Sequence, residues 1–161
     1  MEYKVSDFKL SHDELVNFLS DLTYGNNYVG IKLPDESKYK AKTYEDSIAN
    51  CLEAGESIEF VDLAAEGSTE NMSSIRNIDS FLSMETYSAF GCDNIDEFPV
   101  YKINLDDIYN GLCKIASLTA GEDAETLFCN FVDIFAYPGR GDMYDAWNIF
   151  QYIVFGEIVY N

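Results

Sequence analysis

Positive charge is what this sequence has least of. Ten Lys and Arg stand against 29 Asp and Glu in 161 residues, a formal net charge of −19. Clustered cations are what neutralise phosphates, so the shortage argues against direct, non-specific binding of DNA or RNA. It argues equally against attraction to an anionic membrane. Histidine is nearly missing, since His12 is the single one. A Ser-His-Asp or Cys-His arrangement would have to use it, yet no G-x-S-x-G elbow accompanies it, and its place beside Ser11 reads as the first turn of a surface helix. Both the phosphate-cradling G-x-x-x-x-G-K-[ST] loop and the dinucleotide G-x-G-x-x-G loop are absent. Paired carboxylates carry little information among 29 acids, because neighbours arise by chance. No catalytic constellation, cofactor or metal site is therefore expected; Asp93-Asn94-Ile95-Asp96-Glu97 lacks the oxygen-ligand pattern and glycine of a calcium loop.

Long apolar runs are also lacking. No window approaches 18 uncharged apolar residues, and the first residues, Met1 to Asp7, hold no stretch of signal-peptide length. The four cysteines, Cys51, Cys92, Cys113 and Cys129, form no C-x-x-C pair. They read as core thiols in a reducing cytoplasm.

What is present is an apolar and aromatic content able to fold. Hydrophobic residues make up 47% and aromatics 15%, enough to make wholesale disorder improbable despite the charge. The length suits a single domain over residues 1–161. Ser11 and Glu14 form a capping box for an amphipathic helix over 12–23, with Leu15, Phe18, Leu19 and Leu22 inward. A strand is expected at Tyr3–Phe8, a hairpin from strands Tyr28–Leu33 and Lys38–Lys42, and further strands at Ser57–Leu63 and Pro99–Ile103. Thr43 caps a second helix that Gly55 stops. Ala64–Asn71 reads as loop, and Ser73–Phe90 is ambiguous. Asn104 caps a helix to about Leu118. Thr119 and Glu122 form another capping box, ahead of a helix filled by Leu127, Phe128, Phe131, Val132 and Phe135. Asp142 caps a last helix to about Phe155, with a closing strand at Glu157–Tyr160. The expected class is α+β: short antiparallel strands mainly in the N-terminal half, and a helical C-terminal half.

The charge is uneven along the chain. Residues 1–42 hold seven acids and six bases, whereas residues 43–161 hold 22 acids and four bases. The surplus of 18 matches the charge on roughly 30 Å of DNA duplex, while a compact domain of this length is about 40 Å across. Self-repulsion of that size costs stability. Rows of acids fall in the first turns of the predicted helices, where the dipole favours them. They give the candidate contact residues Asp106, Asp107, Glu122, Asp123, Glu125, Asp142 and Asp145. In size and acidity the chain resembles the antirestriction DNA mimics of phages and mobile elements, although no residue motif ties it to one family. That resemblance implies a cytoplasmic inhibitor whose carboxylates stand in for phosphates against a basic nucleic-acid-binding protein, in antirestriction, anti-CRISPR or nuclease-inhibitor fashion.

Ten of the 24 aromatics fall between Phe128 and Tyr160. In the last helix Trp147, Phe150 and Val154 form a stripe suited to the core or to a homodimer seam. A competing reading follows: an acidic adaptor that binds a protein partner through this aromatic C-terminus, without mimicry.

Overall fold

The computed structural model describes residues 4–23, 29–31, 34, 36–62, 100–118, 124–137 and 139–158. It is α+β, with a three-stranded antiparallel sheet and a helical C-terminal part. The chain divides into two compact units. Unit 1 comprises Met1–Leu22 and Asn104–Asn161, and unit 2 comprises Thr23–Ile103.

Unit 1 is helical because its caps are well made. Helix α1 spans His12–Thr23. The Glu14 amide donates to Ser11 Oγ (3.1 Å), and the Ser11 amide donates to Glu14 Oε1 (3.3 Å). Helix α4 (Leu105–Ala116) starts from Asn104 and helix α6 (Met143–Phe155) from Asp142, each with a complete capping box. Between them lies α5 (Ala124–Phe131), whose end widens into a π-helical turn over Val132–Ala136. There the Tyr137 amide donates to Val132 O (3.2 Å), five residues back, so the single long helix expected at this point is two pieces. The wide turn seats Ile134 in the core, against Gly141. A Cβ added to Gly141 would lie 2.4 Å from Ile134 Cδ1, so any larger residue there would push the Ile134 side chain out of its place. Buried side chains come from α1 (Leu15, Phe18, Leu19, Leu22), α4 (Ile108, Leu112, Ile115), α5 (Leu127) and α6 (Trp147, Ile149, Phe150). Phe8, Phe131, Phe135 and Phe18 form a chain of rings whose centroids lie 5.1–6.3 Å apart. Helices α4 and α6 meet at Gly111, where an added Cβ would come within 2.8 Å of Ile153 Cα.

Unit 2 carries the sheet. Strand β1 is Val29–Ile31, β2 is Ile58–Asp62 and β3 is Val100–Ile103, in the order β1-β2-β3. Gly30 pairs with Val61, Ile58 with Ile103, and Phe60 with Tyr101. Glu59 lies opposite Lys102, a favourable cross-strand charge pair. Helix α3 (Tyr44–Glu53) begins at Thr43, whose Oγ1 accepts from the Asp46 amide (3.2 Å). It ends ahead of Gly55, which takes a φ of +88°, a conformation that suits glycine.

Several expected elements differ. Lys38–Lys42 is not a strand: Glu36–Tyr39 forms the single-turn helix α2, and the partner of β1 is β2. All three residues of β1 are buried and call for apolar neighbours. Phe60 and Val61 supply them, and a lysine-rich segment cannot. Val5–Asp7 is a 3-10 turn rather than part of a strand. The Asp7 amide donates to Lys4 O (2.9 Å), and its carboxylate accepts from the Lys4 amide (2.8 Å), so local bonds displace a ladder. Past α6, Gly156 turns left-handed (φ 73°), and Glu157 and Ile158 are not in a strand. Cys51 and Cys113 are buried free thiols as expected, but Cys129 is exposed, because it faces away from the inward Leu127 and Asn130 of α5. The turn at 24–27, the loop at 64–71, the segment 73–90, Cys92 and the Thr119–Glu122 box lie outside the described residues.

Candidate functional site

The acidic residues divide by what their oxygens already do. Asp107 is a capping residue: its Oδ2 accepts from the Asn104 amide (2.9 Å), while its own amide donates to Asn104 Oδ1 (2.9 Å). Asp142 Oδ1 accepts from the amides of Tyr144 (2.9 Å) and Asp145 (3.0 Å). Asp145 has both oxygens engaged, Oδ2 by the Asp142 amide (2.9 Å) and Oδ1 by Asn130 Nδ2 (2.7 Å). Asp106 and Glu125 are exposed in the first turns of α4 and α5. Glu122 and Asp123 lie outside the described residues. Of the expected contact residues, then, Asp106 and Glu125 point to solvent, while Asp107, Asp142 and Asp145 also hold their own helices in place.

The structure brings some of these acids together and separates others. Asp142 and Asp145 share one helix start, and their charge acts on a residue not singled out in the sequence, Asp21 in the last turn of α1. The Asp21 carboxyl is pushed up, first by burial and then by the negative charge of Asp142 and Asp145. Asp145 is also raised, mainly by burial and with repulsion from Asp142 and Asp133, against the hydrogen bonds from the Asp142 amide and Asn130. Asp133 pairs with Arg140 (3.4 Å), whose guanidinium lies over the Tyr137 ring (5.6 Å). Asp106 and Asp107 belong elsewhere. One turn on from Asp106, the Tyr109 hydroxyl accepts from the Leu10 amide (3.2 Å), just ahead of α1.

Behind Asp145 runs a polar ladder. Gln151 Nε2 donates to Asn148 Oδ1 (3.5 Å), Asn148 Nδ2 to Asn130 Oδ1 (3.2 Å), and Asn130 to Asp145. Gln151 is fully buried and Asn130 is 7% exposed, so these amides belong to the interior of the unit. Their signal in the sequence was the interruption of an apolar stripe: Asn148 and Gln151 flank Trp147 and Phe150, and Asn130 follows Leu127 at helical spacing.

The expected seam residues are placed differently from one another. Trp147 and Phe150 are 3% and 2% exposed and stack with centroids 5.7 Å apart, so this chain itself covers them. Val154 is half-buried. Among the described residues, the large aromatics left exposed are Phe128, Tyr137 and Tyr144 in unit 1 and Tyr44 in unit 2.

Unit 2 has a cationic groove of about 350 Å³ lined by Lys40, Lys42, Thr43 and Tyr44, among others. Nearby, Lys38 forms an ion pair with Glu56, whose carboxyl is held below the usual range by hydrogen bonds from Lys38 and Tyr39. Among the described residues no three His, Cys, Asp or Glu side chains converge to hold a metal ion, and no helix is long and apolar enough to cross a membrane.

No family model, curated protein or solved structure matches the chain.

Proposed function

We propose that the protein is an acidic nucleic-acid mimic, an inhibitor that occupies the cationic groove of a DNA- or RNA-binding protein in the cytoplasm. The observation that carries this reading is the distribution of charge. Unit 1 has fourteen acids against four Lys and Arg, and unit 2 has fifteen against six, so net charges of −10 and −9 fall on separate compact units. Neither unit neutralises the other, and a cation-lined groove is the partner such a chain complements. In unit 1, Asp106, Asp107, Glu125, Asp142 and Asp145 stand at successive helix starts rather than in one spot. That spacing suits a target built to grip several phosphates along a backbone. The adaptor reading loses Trp147 and Phe150, which their own chain covers, and keeps the exposed Phe128, Tyr137 and Tyr144.

The test is displacement of labelled duplex from a restriction endonuclease, a Cas9-type effector and a repressor. The protein displaces duplex from at least one of them. The double variant Asp106→Lys, Glu125→Lys loses displacement at least tenfold while keeping its circular-dichroism spectrum. Displacement that survives the double reversal would remove those residues from the contact.

A further inference from the structure

We infer that the cationic groove of unit 2 is a binding site for a nucleoside phosphate, with the phosphates held between Lys40 and Lys42 and the base laid on the Tyr44 ring. The site lies within one compact unit and does not rest on the contact proposed above.

The lining is what points to an anion. The groove, about 350 Å³, is walled by Lys40, Ala41, Lys42, Thr43, Tyr44 and Ser47, with Pro34 completing it. Acids make up 29 of the 161 residues of the chain, yet none lines this groove. Its two lysines carry charges of the same sign, one residue apart in sequence, and make no ion pair or hydrogen bond among the described residues. Lys38, two positions earlier, shows the contrast, because it is paired with Glu56. Two unpaired ammonium groups beside one cavity repel each other, and a phosphate between them relieves that repulsion with charge-assisted hydrogen bonds.

The negative charge of the chain does not forbid the ligand. At physiological salt a charge is screened beyond about 8 Å, so acids elsewhere act weakly on a seated phosphate, whereas the lysines act in contact. Asp46, in the first turn of α3, is occupied at the cap, where its Oδ2 accepts from Thr43 Oγ1 (2.8 Å). The same threonine takes the Asp46 amide, so the helix start offers the ligand little and the lysines must hold the phosphates.

The groove is also prepared in advance. Its lysines lie on the short link between α2 and α3, and those two helices pack on each other. Tyr39 before the link, and Ile48 and Ala49 after it, are buried and anchor both sides. Tyr44 is 43% exposed, which leaves ring surface for a base to stack on. The volume is at the small end of ligand sites and suits a mononucleotide.

The test is a titration of the full chain with ATP, with EDTA present to remove divalent cations, at about 150 mM salt. It is followed by amide NMR shifts, with adenosine and tripolyphosphate as the paired probes. ATP gives saturable shifts in residues 40–47, and each of the other two binds at least threefold more weakly. Lys40→Gln combined with Lys42→Gln weakens ATP at least tenfold. Tyr44→Leu weakens ATP at least threefold and leaves tripolyphosphate unchanged. Shifts that fail to saturate, or an ATP affinity that the lysine variant keeps, would overturn the site. Tripolyphosphate binding as tightly as ATP would overturn it too, leaving an adventitious anion contact only. The three side chains are exposed, so the variants keep the circular-dichroism spectrum; if one fails to fold, the titrations of the unmodified protein decide alone.

Discussion

The two units carry nearly the same net charge but hold it differently. In unit 1 most of the described carboxylates sit at helix starts. Asp107, Asp142 and Asp145 satisfy amides that would otherwise go without partners, and the few bases are scattered. In unit 2 the cations gather at Lys38, Lys40 and Lys42, where Lys38 pairs with Glu56. The contrast teaches that an acid surplus can serve the fold and the surface with the same residues. A helix cap turns a carboxylate toward backbone amides and still leaves a negative charge at the helix end.

The sharpest way to break the comparison is to empty each core. Trp147→Ala in unit 1 and Phe60→Ala in unit 2 each remove a buried aromatic, and each should cost about 3–5 kcal/mol in urea unfolding followed by circular dichroism. A loss below about 1 kcal/mol for either would mean that the unit's core is not packed around that ring.

Next in size is the close approach inside unit 1. Gly111→Ala places a methyl where 2.4 Å separates it from Ile153 Cγ1, and where the Ile153 backbone is also too near to yield. The expected loss is about 1–3 kcal/mol by the same measurement. Gly55→Ala in unit 2 meets open space but a left-handed backbone, so its cost should be near 1 kcal/mol.

The smallest effects separate capping acids from surface acids. Asp142→Ala should lose about 1 kcal/mol through its two amide partners. Asp106→Asn should stay within about 0.5 kcal/mol of wild type. Equal losses would erase the distinction between an acid that holds a helix and one that only faces solvent.

The same contrast explains what was legible in the sequence. Helix starts in unit 1 were readable because capping is local chemistry. Ser11 with Glu14, Asn104 with Asp107, and Asp142 with Asp145 fix α1, α4 and α6 within a few residues of their own position. In unit 2, β2 and β3 were readable from their apolar content. The partner of β1 was not, because pairing is decided across the chain: Phe60 and Val61 outbid the nearer Lys38–Lys42 by burying β1. Within the candidate site, the acids of the first turns could be named, but Asp21 could not. The charges that act on it belong to Asp142 and Asp145, far along the chain, and nothing within four residues of Asp21 encodes that. The amide ladder of Asn130, Asn148 and Gln151 was visible only as polar breaks in an apolar stripe.

The central claim is that charge, rather than apolar docking, makes the contact with a basic partner. It is tested most directly by measuring displacement of labelled duplex from the responding DNA-binding protein at 50 and 200 mM salt. Screening of a many-charge contact predicts a loss of at least tenfold in the protein's affinity for its target across that range. An affinity unchanged between the two salts would contradict the account and point to an apolar interface instead.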